Sequence, residues 1–259
     1  LGRVDDGTST MDYEPEEIKR KISISSAFDH CEWDGHSIHF VDTPGYGDFI
    51  GDTRACMRAL DCAVVILSAI SGVKVQTEEV WEWANEFEIP RIAFVNKMDK
   101  ERANFLRAID DMEKSLKARG VAIQMPIGAE ESFEGVVDLI RMKACKYAKD
   151  GSGGCQEIDI PADYLDEAQR LREHMVEIVA EAYDALTEKY LETGELTEEE
   201  ILDGLRVGTM RNTFTPVLCG SATLNVGVKQ LLKAVCDFLP SPLDRTKAVG
   251  TNPKNNQLA

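Results

Sequence analysis

Three short apolar runs along the chain are each followed directly by a polar loop. The runs are residues 38–41, 92–95 and 216–219. Short apolar runs bounded by turn-forming residues are typical of buried strands in a parallel sheet. Because parallel strands deliver their carboxyl ends to the same edge, the three loops are expected to line one ligand crevice. The pattern therefore predicts an α/β sheet with a binding site at its carboxyl edge.

The segments around these runs alternate between strand and helix patterns. Apolar alternation on both sides of Asp34-Gly35 predicts a hairpin, because Asp-Gly suits a two-residue turn. Its strands are expected at residues 28–33 and 37–41. Further strands are expected at 63–67 and 121–125, and helices at 49–60, 77–87, 103–118 and 231–239. Strands that alternate with helices predict a mostly parallel sheet.

This alternation breaks after residue 125. Residues 126–160 have a β pattern that closes at a flexible Gly-Ser-Gly-Gly segment, residues 163–191 have the pattern of one long helix, and Thr197 begins a capped helix. The domains predicted from this order are an α/β domain at residues 1–125 plus 210–240, an inserted α+β subdomain at 126–209, and a linker toward a following β domain at 241–259.

Length and composition suit a globular domain that carries an insertion. The chain has 259 residues, of which 43% are hydrophobic, so it can bury a real core. No apolar run approaches 18 residues, and the N-terminus is polar and acidic. We therefore expect no membrane span and no signal peptide, and we expect a monomer.

The charge of the chain is strongly negative and unevenly distributed. A net charge of −17 argues against DNA binding, or other nucleic-acid binding, driven by bulk charge. Residues 161–210 contain 14 acidic residues against 4 basic ones. This acidic segment is either a solvated helical surface or a surface for a partner, and the sequence leaves both interpretations open.

The cysteines indicate a reducing compartment. There are seven, an odd number, and they form no C-x-x-C pair and no zinc-type spacing with histidine. Cys62 and Cys219 lie in or beside apolar runs. We therefore expect reduced, buried thiols in a cytoplasmic protein.

The loop Asn96-Lys97-Met98-Asp99 has the chemistry to select guanine. A carboxylate at Asp99 can accept hydrogen bonds from the ring N–H and the exocyclic amine of guanine. Adenine lacks this pair of donors and would leave the carboxylate unpaired, at a cost of roughly 1–3 kcal/mol. Asn96 can brace the loop, and the stem of Lys97 can lie along the face of the base. Taken alone, the tetrapeptide could also be an ordinary polar turn.

Together, the motifs resemble those of translational GTPases, and in particular the elongation factor G family. The resemblance is carried by Asp42-Thr43-Pro44-Gly45, Asn96-Lys97-Met98-Asp99 and Gly220-Ser221-Ala222 in this order, with a first-switch-like stretch at residues 7–24. It covers nearly the whole chain. It implies an α/β, P-loop-NTPase-like GTPase domain with a mostly parallel sheet and an inserted α+β subdomain. The ligands that it implies are GTP or GDP and Mg²⁺.

The resemblance also implies roles for individual residues. Asp42 would hold Mg²⁺ through a water, the Gly45 backbone N–H would meet the γ-phosphate, and Gly220, Ser221 and Ala222 would contact the nucleotide. Ser23 stands where the family carries a threonine that ligates Mg²⁺, and its hydroxyl keeps that chemistry. Lys21 replaces the usual glycine just before it.

Tyr46 is the larger departure from the family pattern. The family carries a histidine there, which positions the attacking water. A tyrosine phenol, with an ordinary pKa near 10, stays neutral and can still donate or accept a hydrogen bond. We therefore expect Tyr46 to alter hydrolysis. The alternative is that Tyr46 only packs against Phe49.

The chain contains no G-x-x-x-x-G-K-[ST] phosphate loop. That loop cradles the phosphates, so the simplest expectation is a GTPase-domain fragment without its first strand. The resemblance implies GTP hydrolysis by the full-length protein and a ribosome partner, including contact of the acidic insert with the ribosomal stalk protein. Two alternatives stay open: a nucleotide-silent interaction module, and another translational GTPase, which the long acidic insert disfavours.

Overall fold

The computed structural model describes residue 2 and residues 6–148 and 150–244 of the chain. The strands are β1 Ala27–Trp33, β2 His36–Asp42, β3 Ala63–Ser68, β4 Arg91–Asn96, β5 Gly120–Ala122, β6 Gln124–Ile127, β7 Gly135–Asp138, β8 Lys143–Tyr147, β9 Cys155–Ile158 and β10 Thr215–Cys219. The α-helices are α1 Pro15–Arg20, α2 Ile50–Met57, α3 Val75–Glu86, α4 Phe105–Leu116, α5 Ala162–Ala180, α6 Asp184–Thr193, α7 Glu198–Met210 and α8 Val228–Phe238.

A parallel four-stranded sheet forms the centre of the α/β domain. Its strand order is β3-β4-β10-β5, and every neighbouring pair is parallel. All residues of β10 and all but the last of β4 are buried, as expected for strands covered on both faces. The predicted parallel α/β sheet is therefore confirmed, and both strands end at the same edge.

The predicted hairpin is also present, but it lies outside this sheet. β1 and β2 pair antiparallel around Asp34 and Gly35, whose φ angles of 48° and 74° suit a tight two-residue turn. Within the described residues, β2 pairs only with β1. The expectation that residues 38–41 and 92–95 belong to one sheet is therefore wrong. An apolar groove of about 460 Å³ lies between β2 and β3.

The inserted segment forms a second, antiparallel sheet of order β6-β7-β8-β9 with helices α5 to α7. One strand was predicted at residues 121–125, but the chain passes there from one sheet to the other. Ile123 donates its N–H to Val217 in the first sheet and accepts from Leu139 in the second. The second sheet thus begins at Gln124, two residues before the predicted start of the insert.

The single long helix expected at residues 163–191 is wrong. The chain breaks between α5 and α6, where Tyr183 is extended with φ of −162°. The Thr187 hydroxyl caps the broken end by donating to the Ala180 carbonyl at 2.8 Å. Arg211 donates to the Ala182 carbonyl at 3.1 Å. A hydroxyl from the following helix and a guanidinium from a distant part of the chain therefore satisfy two carbonyls near the break.

One pair of cysteines differs from the expectation that the cysteines are reduced thiols. A disulfide joins Cys145 of β8 to Cys155 of β9, so the expectation is wrong for this pair. Cys219 is a buried thiol, and burial raises its pKa. None of the helices in the described ranges is long and apolar enough to cross a membrane.

The predicted linker at 241–259 is described only at its start. Residues 241–244 form a turn in which Asp244 accepts from the Ser241 N–H at 2.8 Å and from Arg206 at 3.1 Å. Residues 245–259 lie outside the described residues.

Candidate functional site

The loops that follow β4 and β10 are tied together by hydrogen bonds. The side-chain oxygen of Asn96 accepts from the Lys97 N–H at 2.7 Å and from the Ala222 N–H at 3.0 Å. Met98 donates its N–H to the Gly220 carbonyl at 3.1 Å. Lys97 has a positive φ of 68°, so the chain turns sharply after the strand. The two predicted loops therefore form one unit at the sheet edge.

Gly220 and Ser221 fix the second of these loops. A Cβ at Gly220 would lie 2.2 Å from the Val226 carbonyl oxygen and 2.6 Å from the Phe94 ring, so no side chain fits. Ser221 is fully buried and exchanges two backbone hydrogen bonds with Val226, each of 3.0 Å. Packing alone thus requires small residues here, whether or not a ligand binds.

Asp99 has an incompletely paired carboxylate. Its side chain is 9% exposed, and Oδ2 lies 3.1 Å from Lys100 Nζ. The buried Oδ1 has no hydrogen-bond partner among the described residues. Burial acts to raise the pKa of Asp99. The side chains of Ser221 and Lys100 favour the ionised carboxylate more strongly, so the pKa of Asp99 lies below its ordinary value. An ionised carboxylate with a free, buried acceptor is costly unless a donor arrives.

A cavity of about 250 Å³ adjoins this carboxylate. Apolar and acidic side chains line it: Phe133, Leu224, Val226, Glu130, Glu131 and Glu134. The glutamates come from the inserted subdomain, about thirty residues after the loop. Sequence reasoning missed them, because no periodicity or motif links them to Asp99.

Asp42 ends β2, and Gly45 and Tyr46 follow it in the next loop. Asp42 and Gly45 line the apolar groove. The Thr53 hydroxyl donates to the Pro44 carbonyl at 3.1 Å and fixes this loop. A Cβ at Gly45 would meet no atom of the described residues within 4 Å, so packing does not explain glycine there. Tyr46 is 56% exposed, which weighs against a mere packing role on Phe49.

A group of acidic residues surrounds Ser23 and Asp42. The Ser23 hydroxyl donates to Asp12 at 2.8 Å. The buried Glu17 accepts three backbone N–H groups, including those of Ile24 at 2.7 Å and Ser25 at 2.9 Å. Burial and the negative charges of Asp12 and Glu17 raise the pKa of Asp42 above its ordinary value. Sequence reasoning singled out Ser23 and Asp42 and missed Asp12 and Glu17.

The predicted site residues therefore fall into two sets. Asn96, Lys97, Asp99 and the loop 220–222 form one unit, and Ser23, Asp42, Gly45 and Tyr46 lie around the end of β2. Within the described part of the chain, no cluster of three or more His, Cys, Asp or Glu has the arrangement of a metal site.

The carboxyl edge of the parallel sheet thus presents a fixed asparagine and an aspartate whose Oδ1 has no partner among the described residues. The chain belongs to the family described as the elongation factor Tu GTP binding domain, whose model matches residues 2–241. The family match confirms the α/β GTPase fold, and with it the class of guanine-nucleotide-binding domains of translation factors.

Named relatives support the same family. The chain is 46% identical over 244 residues to elongation factor G of Thermotoga neapolitana, covering 94% of this chain and 35% of the relative. It is 44% identical over 258 residues to elongation factor G of Thermotoga sp. strain RQ2, covering 100% of this chain and 37% of the relative. A solved protein from Thermus thermophilus matches with a TM-score of 0.87 and 32% identity, over 94% of this chain and 36% of that protein. The chain thus spans little more than a third of these relatives, and the resemblance to elongation factor G is confirmed.

Proposed function

We propose that this chain is the guanine-nucleotide domain of a ribosome-associated, elongation factor G-like protein that binds and hydrolyses GTP. The observation that carries the proposal is the free, buried Oδ1 of Asp99 beside the loop that Asn96 holds to Ala222. The carboxylate accepts from the two N–H donors of guanine, and the Lys97 stem lies along the base. The Ala222 N–H is already bonded to Asn96, so Gly220, Ser221 and Ala222 act by shaping the base pocket.

The residues around Asp42 fit Mg²⁺. Oxygen donors are the ligands that Mg²⁺ prefers. Burial first, and then the negative charges of Asp12 and Glu17, raise the pKa of Asp42, and a cation would neutralise these charges. Asp42, through a water, and the Ser23 hydroxyl would hold the ion. Ser23 donates its proton to Asp12 here, and the lone pairs of its oxygen remain able to ligate the ion. Mg²⁺ supplies charge neutralisation on the phosphate oxygens.

Gly45 and Tyr46 are assigned to the phosphate end of the nucleotide. The Gly45 N–H donates to the γ-phosphate, which its open surroundings permit. The exposed Tyr46 phenol replaces an imidazole as the group that orients water, and it can donate or accept one hydrogen bond. Because it cannot become a cation near neutral pH, it stabilises developing negative charge less well than an imidazolium would.

The partners and compartment belong to the same proposal. The protein is a cytoplasmic monomer that acts on the ribosome and not on DNA, and its acidic insert contacts the ribosomal stalk protein. The net charge of −10 over residues 161–210, from 14 acidic and 4 basic residues, favours contact of the insert with a positively charged surface of its partner.

A nucleotide-silent interaction module is the second candidate. The apolar groove between β2 and β3 favours it. The two candidates differ in one measurable property, since a silent module would have no preference among nucleotides.

Asp99→Asn tests the proposal in a restored protein, defined as this chain extended at its N-terminus by a G-x-x-x-x-G-K-[ST] segment. The asparagine amide cannot accept from both guanine donors, so GDP binding should weaken by about 2 kcal/mol, roughly thirtyfold. Xanthosine diphosphate, which has an acceptor where guanine has its amine, should bind better than to wild type. The matched control is Asp110→Asn, an exposed aspartate of α4, which should leave both affinities unchanged. Unaltered GDP binding by Asp99→Asn would contradict the assignment of Asp99 to guanine recognition.

A further inference from the structure

The loop after β4 is contacted on its outer side by a turn of the inserted subdomain. We call residues 96–102 the guanine-binding loop and residues 128–134 the insert turn. Glu130 of the insert turn donates its N–H to the Met98 carbonyl at 2.9 Å. Its carboxylate accepts from the Arg102 N–H at 2.7 Å. A single residue of the insert therefore bonds both to the middle and to the end of the guanine-binding loop.

The insert turn is fixed independently of the loop that it contacts. The Ser132 hydroxyl donates to the Ala129 carbonyl at 2.7 Å, and Phe133 is buried. Gly128 donates its N–H to the Tyr164 hydroxyl of α5 at 3.0 Å. Glu130 has a positive φ of 58°, which is uncommon outside glycine and persists only where the surroundings enforce it. Glu130 is thus presented from a rigid support.

The guanine-binding loop has few bonds of its own. Lys97 and Arg102 have positive φ angles of 68° and 65°, so the loop bends sharply at both ends. Inside it, the Lys100 N–H donates to the Lys97 carbonyl at 3.1 Å. Asp99, whose Oδ1 is free, lies between the two positions that Glu130 holds and lines the same cavity as Glu130. The two Glu130 bonds therefore flank Asp99 on both sides and add to the bonds that Asn96 and Met98 make with the loop after β10.

We propose that Glu130 is a positioning residue for guanine recognition, through which the inserted subdomain sets the geometry of the guanine-binding loop. The inference rests on the proposed function, because it assigns Glu130 to the same site. Glu130 acts through the backbone at Met98 and Arg102 and not by contact with the base. Events at the insert, such as partner binding near α5, then reach the nucleotide through the insert turn.

The experiment compares Glu130→Ala, Glu130→Gln and Glu131→Ala with wild type in the restored protein. Glu131 lines the same cavity, and its substitution removes the same charge. Dissociation constants are measured for GDP, inosine diphosphate and ADP, because inosine lacks only the amine that Asp99 contacts. Hydrogen exchange of the Arg102 amide is measured in the same variants without nucleotide, and urea unfolding verifies that each variant is folded.

We expect Glu130→Ala to weaken GDP binding by roughly 3–10-fold, the effect of about one lost hydrogen bond. The preference for GDP over inosine diphosphate should narrow, and exchange at Arg102 should accelerate. Glu130→Gln keeps an acceptor for the Arg102 N–H, so its GDP affinity, its preference for GDP over inosine diphosphate and its Arg102 exchange should lie close to those of wild type. Glu131→Ala should resemble wild type in all three.

Two outcomes overturn the inference, and they are distinct from failure of the proposed function. One is unchanged Arg102 exchange and unchanged GDP preference in Glu130→Ala. The other is an equal change of GDP affinity in Glu130→Ala and Glu131→Ala, which would mean that Glu130 acts only through its negative charge. If wild type itself has no preference for GDP over ADP, the proposed function fails, and the positioning role fails with it.

Discussion

Asn96 and Asp99 lie three residues apart and contribute differently to the proposed site. Asn96 uses its side-chain oxygen within the protein, where it holds Lys97 and Ala222. Asp99 keeps one buried oxygen free. Their placement in one loop at the end of a buried strand could be predicted from residue type and from their position after an apolar run. Glu130 could not, because its contacts depend on how a separate subdomain folds back onto the loop.

Tyr46 is where the proposed chemistry departs most from the family pattern. Tyr46→His should raise GTP turnover in the restored, ribosome-stimulated protein, because a histidine can orient water and also carry charge near neutral pH. A side chain that positions the attacking water typically accelerates the chemical step by about 10²–10⁴-fold. The change should appear in single-turnover hydrolysis, with the dissociation constant for GDP nearly fixed.

Tyr46→Phe is the matched control for this prediction. It keeps the ring and removes the hydroxyl, so it should hydrolyse GTP no faster than wild type. Turnover that stays level or falls in Tyr46→His would show that the site orients water by another group.

Among the elements, those defined by local signals were predicted well. The Asp34-Gly35 turn, the apolar strand β4 and the capped start of α7 at Thr197 all have a signal within a few residues, and the structure confirms them. Two errors concern elements set by distant contacts. Residues 121–125 divide between two sheets, and the helix after residue 163 breaks before Asp184. The local sequence pattern indicates neither the two sheets that residues 121–125 join nor the hydrogen bond from Arg211 near the helix break.

The start of α7 supplies a prediction at the scale of one element. Glu200 forms an ion pair with Lys189 and accepts from the Thr197 N–H and hydroxyl, each at 2.9 Å. These interactions, with Lys189 first, lower the pKa of Glu200 to about 2. A lowered carboxyl pKa stabilises the folded state above the unfolded value of 4.5, and this stabilisation is lost as the pH falls through about 2.

Glu200→Gln should therefore lower the urea midpoint at pH 7, and the difference from wild type should shrink between pH 4.5 and pH 2. Glu199→Gln removes a charge one residue earlier and is the control, with a smaller and less pH-dependent effect. A difference for Glu200→Gln that stays constant over this range would contradict the assigned pKa.

In the whole molecule, two structural units contribute to one proposed site. The parallel sheet supplies the guanine-binding loop, and the inserted subdomain supplies Glu130, which bonds to that loop. Asp42 and Gly45 line the groove between β2 and β3. The family and the α/β class were predictable from three motifs in order. The separation of the hairpin from the parallel sheet was not predictable, because the local pattern of each strand is regular and does not show which strand it pairs with.

This arrangement predicts weak nucleotide binding by the chain of 259 residues alone. The base contacts of Asp99 remain, but charge-assisted phosphate contacts are stronger than neutral ones, and the sequence lacks the motif that supplies most of them. Calorimetry with GDP should therefore give little or no heat of binding. Micromolar affinity would mean that another loop holds the phosphates.

The most direct test of the central claim is a parallel calorimetric titration of the restored protein with GDP and with ADP. The two ligands share their ribose and phosphates, so any difference in affinity arises at the base. The account predicts that GDP binds more tightly by roughly 1–3 kcal/mol or more, about 5–150-fold. Equal affinity for GDP and ADP would contradict it.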